Sequence, residues 1–166
     1  MTHRFSPSDS ERAVVEAQLG RSLRGSWRVA RRCHLGVPMV IENAPRLEDG
    51  SPFPTLYWLT CPILVKRMSH LEAAGELAAL TKRLAAEPGL QERLASALGR
   101  YRARRDAHEV TTESGGPPGG GPERVKCLHS HAAHELASPP NPIGSLALAE
   151  VGWPDCIRPC VKLDRQ

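Results

Sequence analysis

The densest chemistry in this chain of 166 residues lies in Cys127-Leu-His129-Ser-His131-Ala-Ala-His134, where one thiol and three imidazoles fall within eight residues. A thiolate with imidazoles suits zinc, which takes four protein ligands at a structural site and three plus water at a catalytic one. The same groups suit a nucleophilic cysteine, because a neighbouring histidine or cation lowers a thiol pKa. On a helix, about 100° per residue would bring Cys127, His131 and His134 within roughly 60° of one another and turn His129 to the far side. Cys33, Cys61, Cys156 and Cys160 are scattered and no Cys-x-x-Cys occurs, so any further ligands must be gathered by folding. A four-cysteine iron–sulfur site from Cys33, Cys61, Cys127 and Cys160 is open on the same ground. Against both stands a reading without chemistry, in which buried cysteines pack as small hydrophobes.

Arg124 and Lys126 precede Cys127 at the point where a helix is expected to begin, which would favour a thiolate and could also meet an anion. The glycine–proline run before them lacks the Lys-Ser/Thr of a phosphate-binding loop, and its prolines remove amide donors. We therefore expect a flexible loop over 111–122. A second punctuated loop, 43–54, carries Arg46 and Asp49 at its charged centre. Glu48 and Asp49 are adjacent there and read as turn formers rather than as a carboxylate pair for glycoside hydrolysis. Nothing resembles the nucleophile elbow of a serine hydrolase.

Net charge is +4, a mild excess that permits an anionic partner without requiring one. The basic run Arg100-Tyr-Arg102-Ala-Arg104-Arg105 closes a helical pattern, where cations complement the helix dipole, so nucleic acid is not the expected partner. No apolar run reaches the length of a membrane span, and the polar first residues predict no signal peptide. The expectation is a cytoplasmic protein whose five cysteines are reduced thiols, ligands or packing groups rather than a disulfide frame.

These side chains need a scaffold, and the composition supplies one. At 40% hydrophobic and 24% charged residues the chain is globular, and we expect a single domain over 1–166. With aromatics at only 4%, the core must be built mainly from Leu, Ala and Val. Ser8 and Glu11 have capping-box spacing ahead of Val14, Val15 and Leu19, which predicts a helix over 9–19. Residues 26–33 and 37–41 read as a β-hairpin, and 55–61 as a buried central strand closed by Pro62. A second capping box, Ser69-His-Leu-Glu72, predicts a long helix broken at Pro88, followed by a helix over 89–107, the two forming an αα-hairpin. Helices over 122–137 and 145–151 complete the pattern, with 153–160 irregular. The fold class expected is α+β: a small antiparallel sheet, a hairpin plus one central strand, packed by an αα-hairpin and further helices.

Several segments together resemble a bacterial, mostly actinobacterial family known as domain of unknown function five hundred and one. They include Val29-Ala-Arg-Arg-Cys33, Pro45-Arg-Leu-Glu-Asp49-Gly50, Pro52-Phe-Pro-Thr-Leu-Tyr57, Leu59-Thr-Cys-Pro62, Arg124-Val-Lys-Cys-Leu-His129, Ala133-His134, Asn141-Pro142 and Pro159-Cys160-Val161. The resemblance implies no reaction. It implies a residue set of Arg46, Asp49, Thr55, Cys61, Arg124, Lys126, Cys127, His129, His134 and Cys160, with His131 and Cys156 outside it. It also implies gene neighbours in cell division and polyphosphate hydrolysis.

Three functions follow as expectations. The first is a metal domain, zinc before iron–sulfur, with Cys33, Cys61, Cys127 and Cys160 as ligands and with Arg46, Asp49, Arg124 and Lys126 binding a small anionic ligand. The second is an enzyme whose nucleophile is Cys127, helped by His129 or His134. The third is a non-catalytic module that meets a protein partner through Arg102, Arg104 and Arg105, linked to cell division.

Overall fold

The computed structural model describes residues 5–108 and 119–161. Within them the chain is α+β, with helices around a three-stranded antiparallel sheet. Helix α1 (Asp9–Leu19) begins with the expected capping box: the Ser8 hydroxyl accepts from the Glu11 amide and the Glu11 carboxylate accepts from the Ser8 amide. Gly20 ends it in the left-handed region at φ +67, where glycine carries no Cβ penalty.

Strands β1 (Trp27–Arg32) and β2 (Pro38–Asn43) form the expected hairpin, closed by a turn in which the Gly36 amide donates to the Cys33 carbonyl at 2.9 Å. The third strand, β3, spans only Tyr57–Leu59. Its ladder stops because the Thr60 and Cys61 amides both turn to the Met39 carbonyl and Pro62 then starts a helix. The strand order is β1-β2-β3, so β2 rather than β3 is central, and all six of its residues are buried. One small cluster, Val15, Leu23, Trp27 and Ile41, joins α1 to the sheet. The main core joins the sheet to the helices that follow.

Helix α2 (Pro62–Ala73) starts a full two turns before the predicted capping box, with Cys61 as N-cap and Pro62 pre-set at the first helical position. Ser69 therefore lies inside the helix, its hydroxyl donating back to the Val65 carbonyl at 2.9 Å. Gly75, at φ +93, separates α2 from α3 (Glu76–Ala86), so the single long helix expected here is two. α3 and α4 (Pro88–Asp106) form the predicted αα-hairpin.

The largest departure concerns the helix after the glycine-rich loop. Helix α5 spans Leu128–Ala137 with Cys127 as N-cap, not 122–137. The preceding backbone is committed elsewhere, the Lys126 amide to the Gly119 carbonyl at 2.7 Å and the Val125 amide to the Thr81 hydroxyl at 3.1 Å. Cys127 thus sits at the mouth of the helix instead of on its face. Helix α6 (Pro142–Val151) is capped by Asn141, whose side-chain oxygen accepts from the Ile143 and Gly144 amides. α5 packs on all three strands and on α6. Of the predicted loop over 111–122, residues 111–118 lie outside the described residues. No described helix is long and apolar enough to cross a membrane.

Candidate functional site

Because Cys127 is the N-cap of α5, its side chain and that of His129 both lie at the helix entrance, next to the last turns of α2. Cys127 Sγ is 3.8 Å from His129 Nδ1, and the same nitrogen is 3.1 Å from Glu72 Oε1. That carboxylate oxygen also accepts from the Leu128 amide at 2.6 Å, so Glu72 caps α5 from a neighbouring helix. This is a use that its spacing from Ser69 did not suggest. The opposite ring nitrogen, Nε2, is 3.1 Å from the Val65 carbonyl, which can only accept. Nε2 therefore carries a proton, and Nδ1 faces a carboxylate and a sulfur, both better partners for N–H than for a lone pair.

Those contacts set the charges. The Cys127 sulfur foremost, and against partial burial the Glu72 carboxylate, raise the His129 pKa to about 9. Burial pushes the Cys127 thiol up, but His129 and the Ser130 hydroxyl and amide outweigh it and hold the thiol below its ordinary value. Each shift favours the charged form, an imidazolium on His129 and a thiolate on Cys127, at a helix N-terminus whose dipole favours the anion. Cys127 Sγ, His129 Nδ1 and Glu72 Oε1 also lie within 4.8 Å of one another, close enough to share one metal ion.

Cys127 and His129 open onto a cleft of about 270 Å³. Cys127, His129 and Ser130 form one wall, and Phe53, Thr55 and Trp58 form the other. Phe53 and Trp58 stack with centroids 5.9 Å apart, and the Arg21 guanidinium lies 4.7 Å from the Trp58 ring centroid. A larger cavity of about 410 Å³ lies between α4 and α6, but its lining offers arginines, prolines, leucines and serines with no cysteine, histidine or carboxylate.

The other predicted site residues are placed as follows. His134 is buried away from the cleft, stacked on Tyr57 at 5.8 Å and edge-on to Tyr101 at 5.4 Å. Its Nδ1 accepts from the Asn141 amide group at 3.0 Å, and burial lowers its pKa to about 4. His131 is buried beside it, bonded to the Gly119 carbonyl at 2.9 Å and to the same Asn141. The face expected to unite Cys127, His131 and His134 therefore does not form: two are core histidines and the third residue is outside the helix.

Arg46 donates to the Gly50 carbonyl at 2.9 Å inside its own loop. Asp49 accepts from the Ser51 amide at 3.0 Å and from Arg24 at 2.8 Å, and with the Ser51 hydroxyl these hold its carboxyl down at about 2. These two shape a turn. Arg124 and Lys126 are exposed on the segment that enters α5. Cys33, Cys61 and Cys160 line a different cavity, one to which Cys127 does not contribute. Of the basic run, Arg104 is paired with Glu42 at 2.9 Å and Arg105 is buried, which leaves Arg100 and Arg102 as its exposed members.

The residue missed by sequence reasoning is Glu72. The only local signal was a carboxylate three residues after a serine, and that pattern pointed to a different role.

Comparison with curated proteins and with solved structures gave no match. A family model described as "Protein of unknown function (DUF501)" matches residues 29–149, a span that contains Glu72, Cys127, His129 and the sheet from Val29 onward. The chain belongs to the DUF501 family.

Proposed function

We propose that Cys127 is a thiolate nucleophile held ready by His129, and that the cleft between α5 and the β3 approach receives an electrophilic, acyl-type substrate. One observation carries this reading: His129 Nδ1 lies between the Glu72 carboxylate and the Cys127 sulfur, while Nε2 faces the Val65 carbonyl and the Ser69 hydroxyl, which itself donates to that carbonyl, an arrangement that favours a protonated imidazole beside sulfur. In this arrangement the sulfur attacks the substrate carbon, a C–S bond forms, and the carbonyl π electrons move to oxygen. The Leu128 amide is taken by Glu72 and the Ser130 amide by the sulfur, so among the first-turn amides of α5 that of His129 would meet the developing charge. The carbonyl then re-forms, the bond from carbon to the leaving group breaks, and His129 Nδ1–H protonates that group. Neutral His129 afterwards takes a proton from a water whose oxygen bonds to the thioester carbon; the C–S bond breaks, the acid leaves, and the pair is restored. The aromatic wall suits a flat or apolar acyl portion. Arg124 and Lys126 are the exposed cations that would attract an anionic one.

The test is alkylation by iodoacetamide, followed residue by residue with mass spectrometry near pH 6.5. Cys127 should react faster than free cysteine under the same conditions; a rate no higher than free cysteine removes the proposal.

A second reading has its own support. Sulfur, Nδ1 and a carboxylate oxygen converge while Nε2–H is anchored on a backbone carbonyl, the outer contact typical of metal-bound histidine. Cys127, His129 and Glu72 fit a zinc ion with a fourth position open to the cleft, where the metal would supply an activated water. Protein isolated without a tag separates the two readings. About one zinc per chain that is lost in Cys127→Ser favours the metal, whereas Cys127 alkylation that is unchanged by a chelator favours the free thiolate.

A further inference from the structure

Four of the five cysteines meet at a second place. Cys33, Cys61, Cys156 and Cys160 all line one small, closed cavity of about 20 Å³, room for roughly one water-sized occupant. They arrive from three separate stretches of chain. Cys33 opens the β1–β2 turn, Cys61 caps α2, and Cys156 and Cys160 belong to the tail after α6. Apart from sulfur the accessible wall is apolar.

Pro154 is the buried residue of the tail, whereas Ile157 is 95% exposed and Trp153 41%. Polar contacts hold the rest: Arg67 donates to the Gly152 carbonyl at 3.0 Å, and two further contacts fall at the cysteines. His34 Nε2 donates to the Cys156 carbonyl at 2.7 Å. Gln18 Nε2 is 3.6 Å from Cys160 Sγ and donates to the Pro38 carbonyl at 2.8 Å. An N–H directed at a cysteine sulfur is the outer contact that metal–thiolate sites use to steady their ligands. The Oε1 of the same Gln18 is buried without a partner, so the surroundings of Cys160 are not closed by protein atoms alone.

We propose that Cys33, Cys61, Cys156 and Cys160 form a thiolate metal centre that fastens the C-terminal tail to the β1–β2 turn and the start of α2. Binding a divalent ion exchanges four S–H bonds for four metal–sulfur bonds. Four protons leave, and the ion and its ligands carry a net charge of two minus with no change of oxidation state. A single zinc ion, with Zn–S near 2.3 Å, draws its sulfurs to about 3.8 Å from one another. Among the described residues the ligand atoms already spaced for one ion are those of Glu72, Cys127 and His129, so the four sulfurs here stand wider. Two of them, Cys156 and Cys160, lie on the tail, and binding an ion at this place requires their side chains to turn inward. An iron–sulfur cluster uses the same four ligands at wider spacing. Cys156 and Cys160 lie beyond the span matched by the family model, so this centre is not contained in it.

The test uses the full chain, expressed without a tag, purified with and without oxygen, and analysed for metals and acid-labile sulfide. The expected result is about one zinc per chain, or iron with matching sulfide and visible absorption, which identifies a cluster at the same ligands. Either content should fall at least about tenfold in the double substitution Cys156→Ala/Cys160→Ala, checked for unchanged helical circular dichroism, and persist in Cys127→Ser. Wild-type protein with neither metal nor sulfide overturns the proposal. So does metal that survives the double substitution or departs with Cys127→Ser. Because Cys127 alkylation is read separately, failure here leaves the nucleophile proposal standing, and the reverse also holds.

Discussion

Replacing His129 with alanine should change the shape of the Cys127 pH–reactivity profile, and the size of the change follows from the pair. His129 is lifted from 6.5 to about 9, with the Cys127 sulfur as the largest cause and Glu72 contributing behind it. Coupling between two titrating groups is reciprocal, so whatever the thiolate does for the imidazolium the imidazolium does for the thiolate. Without that support His129→Ala should lower the thiolate fraction at pH 6.5. A thiolate of higher pKa is a better nucleophile, with a Brønsted slope of about 0.4–0.5, so a fall of about tenfold in thiolate becomes a fall of about threefold in alkylation rate. Above about pH 10 both proteins are fully ionised and the order should invert, the variant reacting faster because its sulfur is the more basic. The assay is iodoacetamide labelling of Cys127 from pH 6 to 10.5, with added free cysteine as the reference. Removing a ring also opens the cleft, which speeds reaction equally at every pH; the crossing therefore carries the inference. Parallel profiles for the two proteins would refute the ion pair, whatever their absolute rates.

Two further outcomes concern the scaffold. Glu42 is buried among Arg28, Arg104 and His108, and although burial raises its pKa, Arg104, His108 and Arg28 together hold it below 4.5. Glu42→Ala should cost about 3–5 kcal/mol in urea unfolding, since three cationic or protonatable groups lose their shared anion. The wild-type contribution is present above about pH 4.5 and fades as pH falls through the lowered folded value, so the variant's stability should depend less on pH on the acid side. Gly144→Ala places a Cβ 2.1 Å from the His131 carbonyl at the α5–α6 crossing. Overpacking of that kind should cost about 3 kcal/mol by the same measurement, and a loss below about 0.5 kcal/mol would mean that the helices can separate cheaply.

Elements whose determinants are local could be read from the chain. The Ser8–Glu11 box, the Gly36 turn and Pro88 each act within four residues, and α1, the hairpin and the start of α4 fall where they were expected. Errors arose where a local pattern was satisfied by a distant partner. Ser69-x-x-Glu72 has the spacing of a cap, yet Pro62 had already started the helix, which left Glu72 free to cap α5 instead. Helical periodicity over 122–137 failed for the same reason, because Thr81 and Gly119 took the backbone groups that a longer helix would have used. A one-residue fact, that Cys127 caps rather than joins the helix, then exchanged His131 for His129 as its neighbour.

The five thiols show why sequence alone could not divide them. Cys61 and Cys127 hold the same local position, each the N-cap of a helix, and each follows a short extended stretch. Their environments oppose one another. Burial pushes the Cys61 thiol up, with further sulfur atoms as neighbours, whereas His129 and Ser130 pull the Cys127 thiol down. Near neutral pH the Cys61 thiol is therefore held as S–H, while Cys127 is shifted towards S⁻. That contrast depends for Cys61 on sulfurs 95 and 99 positions away, brought in by the tail, and for Cys127 on the helix entrance that turns His129 and Ser130 towards its sulfur. The two proposals would thus divide the thiols by environment: a cation offered to the protein would have to displace the proton that burial holds on Cys61, whereas Cys127 already has an imidazolium beside it.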